Sequence, residues 1–352
     1  MSTILVLGGY GGFGARLSRR LAAAGHDVLV AGRRLERAEA FCAGTPRFHP
    51  VEADRTKDLA PVLARHRPDL VIDAAGPFQG SGYAVAQACI EARTPYLDLA
   101  DATAFVTGIA SLDASARQAG VAAIAGASSV PALSGAVVRH LASELDRVTA
   151  VEMAISASNR ATAGPSVAAA ILGAVGRPLT LWRGQRSETR FGWQELRRET
   201  FAVAGHPPLR GRWTALTDVP DLALLPNRVP GRPGVTFRAG TELAFQNLVL
   251  WVASWPVRWG WIASVRPLAS ALLPLQRLTG RLGTDRSAMR VRVFGLQGTR
   301  RVERRWTLIA EDGDGPEIPT LAAAVLADRV LHGAVSPGAR DAGESLELSD
   351  FA

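Results

Sequence analysis

The sequence predicts an α/β protein in which a doubly wound parallel sheet is joined to a second, α+β domain with a mixed sheet. Three observations carry this. A glycine turn, Gly9-Tyr-Gly-Gly-Phe-Gly14, lies between a β-rich run, Ile4 to Leu7, and an apolar-faced helix through Leu17 and Leu21. Strand-like and helix-like segments then alternate for about 145 residues, the Rossmann pattern. Past Asp146 the period changes, and 352 residues exceed one ordinary core. The expected division is a dinucleotide-binding domain over 1–146, a substrate and dimerisation domain over 147–310, and a C-terminal helix and tail over 311–352 that return to the first.

The first strand, turn and helix fit the G-x-G-x-x-G spacing, in which backbone amides and a helix N-terminus face a pyrophosphate. Gly9 is expected to permit the tight turn, Gly11 to admit a phosphate, and Gly14 to let the helix sit close on the strand. Tyr10, Gly12 and Phe13 complete the cofactor-binding turn. Gly25 closes the helix, and Asp27 to Ala31 is a second buried strand. At its end an NAD site usually carries an acidic residue for the ribose 2′-OH, whereas this chain reads Ala31-Gly-Arg-Arg34, with no carboxylate before Glu36. Arg33 and Arg34 are placed to fork onto a 2′-phosphate, so the expected cofactor is NADP(H).

Phe48 to Asp54 reads as a third strand, with Asp54 either at the adenine pocket or capping a helix. A helix over Leu59 to Arg67 is closed by Pro68, and Asp69 to Ala75 makes a fourth strand. The loop Ala75-Gly76-Pro77-Phe78 follows, and it is expected near the nicotinamide because ligands bind beyond the carboxyl ends of parallel strands. After a helix over Tyr83 to Arg93 come a fifth strand, Thr94 to Asp98, and a sixth, Val121 to Ala125, ahead of a helix from Ala132 to Leu145.

In the second domain Val148 to Ser156 alternates as a strand, and Ser166 to Val175 is a small-residue helix. Short strand-like pieces follow around Leu179 to Arg183, Thr189 to Phe191 and Arg198 to Val203. Leu243 to Leu275 gathers Trp251, Trp255, Trp259 and Trp261, but Arg258, Arg266, Pro256, Pro267 and Pro274 interrupt it too often for a bilayer span. A helical wall lining an apolar pocket, or a homodimer contact, is expected there; a membrane surface is the sharper and less favoured alternative. Met289 to Gly295 and Val302 to Ile309 form a hairpin around Gln297-Gly298 whose outward arginines make a solvated face.

The formal charge is +8, yet the arginines are scattered and form no long basic run, which argues against a nucleic-acid partner. Lys57 is the single lysine and lies in no motif, which disfavours Schiff-base chemistry. Cys42 and Cys89 are isolated thiols and no His, Cys or carboxylate cluster has metal-ligand spacing, so neither disulfide nor metal is expected. With a strand starting near the first residue, the expected compartment is the cytoplasm.

Gly9 to Gly14, Ala31-Gly-Arg33, the Asp73 to Phe78 loop with Gly80 and Gly82, Ala88-Cys89 and Tyr96-Leu-Asp98 together resemble the saccharopine dehydrogenase-like oxidoreductases. The likeness covers about the first 140 residues, and the tail from Pro316 to Phe351 is similar to that of bacterial members. It implies a Rossmann domain with a mixed α+β domain, an NADP(H) cofactor and a C-terminal helix, Pro319 to Leu331, packed on the first domain. Substrates in this family differ widely. Its enoyl reductase-like members continue the fifth strand with a Gly-Glu pair, where this chain has Leu99-Ala-Asp101, so their substrate is not carried over.

Hydride transfer needs a nicotinamide held against the substrate carbon and usually a proton donor. Asp98, Asp101, Ser128 and Ser129 are the candidate catalytic residues at the correct sheet edge, with Tyr83 and Tyr96 behind them; each is equally a strand-end cap. Arg160 and His206 are candidates for a substrate acid group. The expected activity is hydride transfer to or from C=N, C=C or C=O of a small or moderately apolar molecule, the alternative being a catalytically silent dinucleotide-binding or lipid-associated protein.

Overall fold

The computed structural model describes residues 1–161, 164–184, 186–268, 279–280 and 282–351. The chain divides into two compact units, 1–133 with 317–352, and 134–316.

In the first unit the strands are β1 (Thr3–Leu7), β2 (Asp27–Gly32), β3 (Phe48–Glu52), β4 (Leu70–Asp73), β5 (Tyr96–Asp98) and β6 (Ala122–Ala125). The helices are α1 (Gly12–Ala23), α2 (Leu35–Cys42), α3 (Ala60–His66), α4 (Ala84–Glu91), α5 (Thr103–Gly108) and α6 (Asp113–Ala119). Ile4, Leu5, Val6 and Leu7 are all at most 1% exposed, so β1 is covered on both faces, which explains its unbroken apolar run. Helix α1 turns Leu17 and Leu21 inward at i and i+4, while α3 ends where Arg67 adopts a left-handed φ of 43°.

All pairings in this sheet are parallel, with β6, β5, β4, β1, β2 and β3 in that order. Beyond β6 lies a seventh strand that the sequence reading lacked, Gly338–Asp341, paired in register from Gly338 with Ala122 to Asp341 with Ala125. Its residues, Gly-Ala-Arg-Asp, carry no β-branched or aromatic side chain, so nothing local announced it. The helix Ile318–Leu331 buries Ala322, Ala323, Leu326 and Ala327 in the core that holds Ile4, Val6, Ile72 and Leu97. Because β1 stands between β4 and β2, the order in which the strands are laid down reverses there, and in such sheets ligands bind beyond the carboxyl ends of the strands at this switch point.

The second unit holds α7 (Ser134–Ala142), β7 (Arg147–Ala157), α8 (Pro165–Ala174), β8 (Pro178–Arg183), β9 (Arg186–Phe191), β10 (Arg197–Phe201), β11 (Leu209–Leu216), α9 (Asp221–Arg228), β12 (Gly234–Thr241), α10 (Ala244–Arg258), β13 (Ser287–Gln297) and β14 (Arg300–Ala310). Its eight-stranded mixed sheet runs β10, β11, β12, β7, β13, β14, with the β8–β9 hairpin joined to β12. The parallel pair is β7 with β12; the other pairings are antiparallel. Helix α7, read from sequence as the end of the first domain, belongs here because it packs on β13, β14 and α9.

Two expectations for this unit are corrected. Pro256 does not break the Trp-rich segment, since α10 runs unbroken from Ala244 to Arg258 with the proline in its last turn. Residues 269–275 of that segment lie outside the described residues. The arginines of β13 are not solvated: Arg290 is 8% exposed and pairs with Glu199 at 2.5 Å, and Arg292 pairs with Glu152. Strand β10 supplies Glu199, which gives Arg290 a buried partner that a hairpin read in isolation cannot reveal. No helix among the described residues is long and apolar enough to cross a membrane.

Candidate dinucleotide-binding cleft

The turn after β1 is pinned by backbone bonds, from Gly8 N to the Ala31 carbonyl at 2.8 Å and from Gly11 N to the Gly8 carbonyl at 2.8 Å. Gly8, not Gly9, carries the left-handed backbone of the turn, with φ of 73°. The Gly8-Gly9 doublet was available as a signal, but the fingerprint spacing drew attention to its second member. A Cβ on Gly14 would lie 2.1 Å from the Gly8 carbonyl oxygen, so the close approach is between helix and turn rather than helix and strand. Gly11 precedes α1 without a side-chain cap, and the first turn of the helix has no acidic residue. The early N–H groups of α1 have no intrahelical partners, an arrangement that suits an anion.

The neighbouring strand ends close around this turn. The Ala75 backbone stands against Gly8, where a Cβ on the glycine would meet it at 3.0 Å. Ala74 N donates to the Leu7 carbonyl at 2.9 Å, which ties the Ala75-Gly76-Pro77-Phe78 loop to the end of β1. Phe78 is 3% exposed and packs on Phe105, so its ring plugs the core. The turn between β2 and α2 holds Arg33 and Arg34, both exposed, and the Arg34 N–H donates to the Tyr10 hydroxyl at 3.2 Å. Asp54 accepts from Thr56 N at 3.0 Å and Thr56 Oγ1 at 2.8 Å, acting as the turn cap. These bonds, with the charge of Arg33 in support, hold its carboxyl below the usual range.

Arg55 is a residue that the sequence reading missed. Its Nε donates to Asp73 Oδ2 at 2.9 Å and its NH1 to Ser81 Oγ at 3.2 Å, and its guanidinium lies 4.7 Å from the centre of the Phe78 ring. It therefore bridges the loops after β3 and β4. The only local signal was a basic residue directly after a strand-end acid, Asp54-Arg55. Burial pushes the Asp73 carboxyl up, with Arg55 opposing the shift.

Of the four candidate catalytic residues, Asp98 is 0% exposed. Its Oδ1 accepts from Ala100 N at 2.9 Å and Gly126 N at 2.8 Å, joining the ends of β5 and β6. Burial pushes its carboxyl up to about 7, with those two N–H groups pulling it down and Asp73 adding to the rise. Tyr96 is raised well above the phenol range, first by burial and then by Asp98. Ser128 and Ser129 are buried beyond β6, while Asp101 is exposed and accepts from Gln79 Nε2 at 3.2 Å. Tyr83 is turned to the Phe105 carbonyl at 2.8 Å. Gly9 to Gly14, Arg33, Arg34, Asp54 and Ala75 to Phe78 thus follow the carboxyl ends of the neighbouring strands β1, β2, β3 and β4, and Asp98, Asp101, Ser128 and Ser129 those of β5 and β6. Arg160 and His206 are exposed loop residues of the second unit.

Residues 4–124 match the family model for the saccharopine dehydrogenase NADP binding domain. The resemblance carried by the glycine turn and the Asp73 to Phe78 loop thus holds for that domain. Two solved structures are similar over almost the whole chain. Apo saccharopine dehydrogenase (L-Glu forming) from Saccharomyces cerevisiae is 14% identical with a TM-score of 0.68, covering 100% of this chain and 96% of its own. The amine dehydrogenase from Mycobacterium smegmatis is 13% identical with a TM-score of 0.53, covering 99% and 95%. These likenesses establish the two-domain fold. No curated protein matches the chain. Among the described residues no group of three His, Cys, Asp or Glu side chains could hold a metal ion.

Proposed function

We propose that the protein is an NADP(H)-dependent oxidoreductase acting on a C=N, C=C or C=O bond of a small or moderately apolar substrate. The observation that carries this is the uncapped, acid-free N-terminus of α1 beside a β2 end bearing Arg33 and no carboxylate. In this reading the amides of Gly11 to Gly14 hold the pyrophosphate, Arg33 and Arg34 hold the 2′-phosphate, and the Ala75 to Phe78 loop borders the nicotinamide. The bound cofactor supplies the hydride chemistry. Among the candidates for meeting a substrate, Asp101 has solvent access. Asp98 Oδ1 accepts from two backbone N–H groups and so positions the strand ends. The dehydrogenase names of the family model and of both solved structures support the activity class.

Calorimetric titration with NADPH and NADH tests this reading. The wild type should prefer NADPH, and Arg33→Ala should raise the NADPH Kd by about 10- to 100-fold, the worth of a hydrogen-bonded charge pair, while hardly changing NADH. Equal affinities in the wild type would refute the preference.

One observation favours a second reading, a lipid-associated role. From Ala244 to Val257 the chain has no charged residue, and α10 leaves Phe245 44%, Val249 51% and Val252 59% exposed, followed by Trp259 and Trp261. Flotation with anionic liposomes tests it: retention at the bottom of the gradient at low salt would end that reading. Sedimentation velocity on the same sample would show a homodimer, the other use of the face.

A further inference from the structure

We propose that Tyr10 and Gly32 act as a pair that sets cofactor preference, the phenol ring filling the place of a ribose-binding carboxylate and its hydroxyl fixing the turn that presents Arg33. This rests on the NADP(H) reading and gives it a structural cause beyond the arginines.

The last residue of β2 is Gly32, at the strand end where an NAD-type site carries its acidic side chain. Here that direction is filled. A Cβ built on Gly32 would lie 2.4 Å from Cε1 of Tyr10, 2.5 Å from Cζ and 2.5 Å from the hydroxyl oxygen. Aspartate or glutamate at position 32 therefore requires the ring to shift. The ring is partly buried against the first unit's core, and its backbone belongs to the turn anchored by Gly8 N and Gly9 N to the Ala31 carbonyl at 2.8 and 3.1 Å. Moving the ring out would also release the hydrogen bond that its hydroxyl accepts from Arg34 N at 3.2 Å.

That bond matters because Arg33 and Arg34 are all that separates β2 from α2. Arg34 is the helix N-cap, in an extended conformation with φ of −127° and ψ of 106°, and no side-chain cap holds it. The Tyr10 hydroxyl is thus the tether between the glycine turn, which faces the pyrophosphate, and the two-residue turn, which faces the 2′-phosphate. Tyr10 is a positioning residue: it fixes the spacing between the two phosphate sites and leaves the ion pairing to Arg33. Its position, the first variable residue of the glycine motif, lets one side chain serve both ends.

The test is the ratio of NADH to NADPH Kd, measured by calorimetry on the full chain for the wild type, Tyr10→Phe, Gly32→Asp and the double variant Tyr10→Ala/Gly32→Asp. Tyr10→Phe keeps the ring and removes the acceptor, so the preference for NADPH should fall by about two- to tenfold, the worth of one hydrogen bond. Gly32→Asp alone should lose NADPH without gaining NADH, because the ring and the new side chain compete for one space. The double variant should bind NADH about tenfold more tightly than Gly32→Asp alone, by the coupling expected of residues in contact. An unchanged ratio in Tyr10→Phe, or a Gly32→Asp single variant that already binds NADH as well as the double variant, would overturn the proposal. Should Gly32→Asp fail to fold by circular dichroism, the Tyr10→Phe ratio decides alone. A wild type without NADPH preference sinks the cofactor reading and this inference together, whereas a wild type that prefers NADPH with Tyr10→Phe unchanged sinks only the inference.

Discussion

A methyl group at residue 14 would meet the Gly8 carbonyl oxygen at 2.1 Å, and no rotamer relieves a clash of Cβ with backbone. Requirements of this kind explain why the glycine spacing could be read from sequence: a backbone with no room leaves its mark as a residue type. Residues whose role depends on a partner left no such mark. Arg55 acquires its function from Asp73, 18 positions away in the chain, and Gly32 from Tyr10, 22 positions away. Asp98 was legible as a strand-end acid but not as a buried one. Its carboxyl is raised to about 7 from the ordinary aspartate value of 3.8, so the folded protein holds this proton more tightly than the unfolded chain. Its contribution to stability is therefore complete below about pH 4, is lost as the pH rises from there to about 7, and is constant above that. Asp98→Asn keeps an acceptor for Ala100 N and Gly126 N and removes the titration. Thermal midpoints measured from pH 4 to 8 should show the variant gaining on the wild type as pH rises; parallel profiles would contradict the assigned burial.

Elements whose pattern is local were read to within a few residues. The hairpin of β13 and β14, with Gln297 opposite Arg300, follows from alternation around a glycine, and α3 ends beside its proline as the backbone of Arg67 requires. One strand was missed because its residues lack a propensity signal. The strand Gly338–Asp341 exists because β6 offers it an edge, and its Ala339 N–H is taken by Asp113 Oδ1 at 2.9 Å. β11 and β12, LRGRWTAL and GVTFRAGT, were missed although they carry Trp213, Thr214, Val235, Thr236 and Phe237; their places in the sheet are set by pairing with each other and with β7 and β10. The C-terminal helix is firmly part of the first core, with Leu326 0% exposed. Leu326→Ala should lower the unfolding free energy by about 2–5 kcal/mol in chemical denaturation, and a loss under ~1 kcal/mol would mean that the helix is an appendage of the sheet.

For the molecule as a whole, two units built from one chain give ligand binding a local address. If the cleft beyond β1 and β2 holds NADPH, a concentration about 100-fold above Kd should stabilise the native state by about 2.7 kcal/mol. Hydrogen exchange should then slow in the segments spanning residues 8–15 and 31–35. Protection elsewhere with none in those segments would move the cofactor out of this cleft. The net charge of +8 also reads differently in three dimensions, since Arg290, Arg292, Arg197 and Arg238 are tied to Glu199, Glu152 and Glu195 within the second sheet. The scattered arginines of the sequence are in part a sheet-face network.

By itself the sequence determined the glycine turn, the basic end of β2, the order of the first six strands and the change of pattern near residue 146. Each is set by constraints within a few residues: a forbidden Cβ, a periodic apolar face, or a charge at a strand end. Only the tertiary structure decided that a seventh strand closes the first sheet, that α7 joins the second unit, and that Asp98 is buried. It also brought Tyr10 against Gly32 and Arg55 against Asp73. Those outcomes depend on which surfaces meet after the chain has turned back on itself, and burial, desolvation and close approach are properties of that meeting rather than of any one residue's neighbours in sequence.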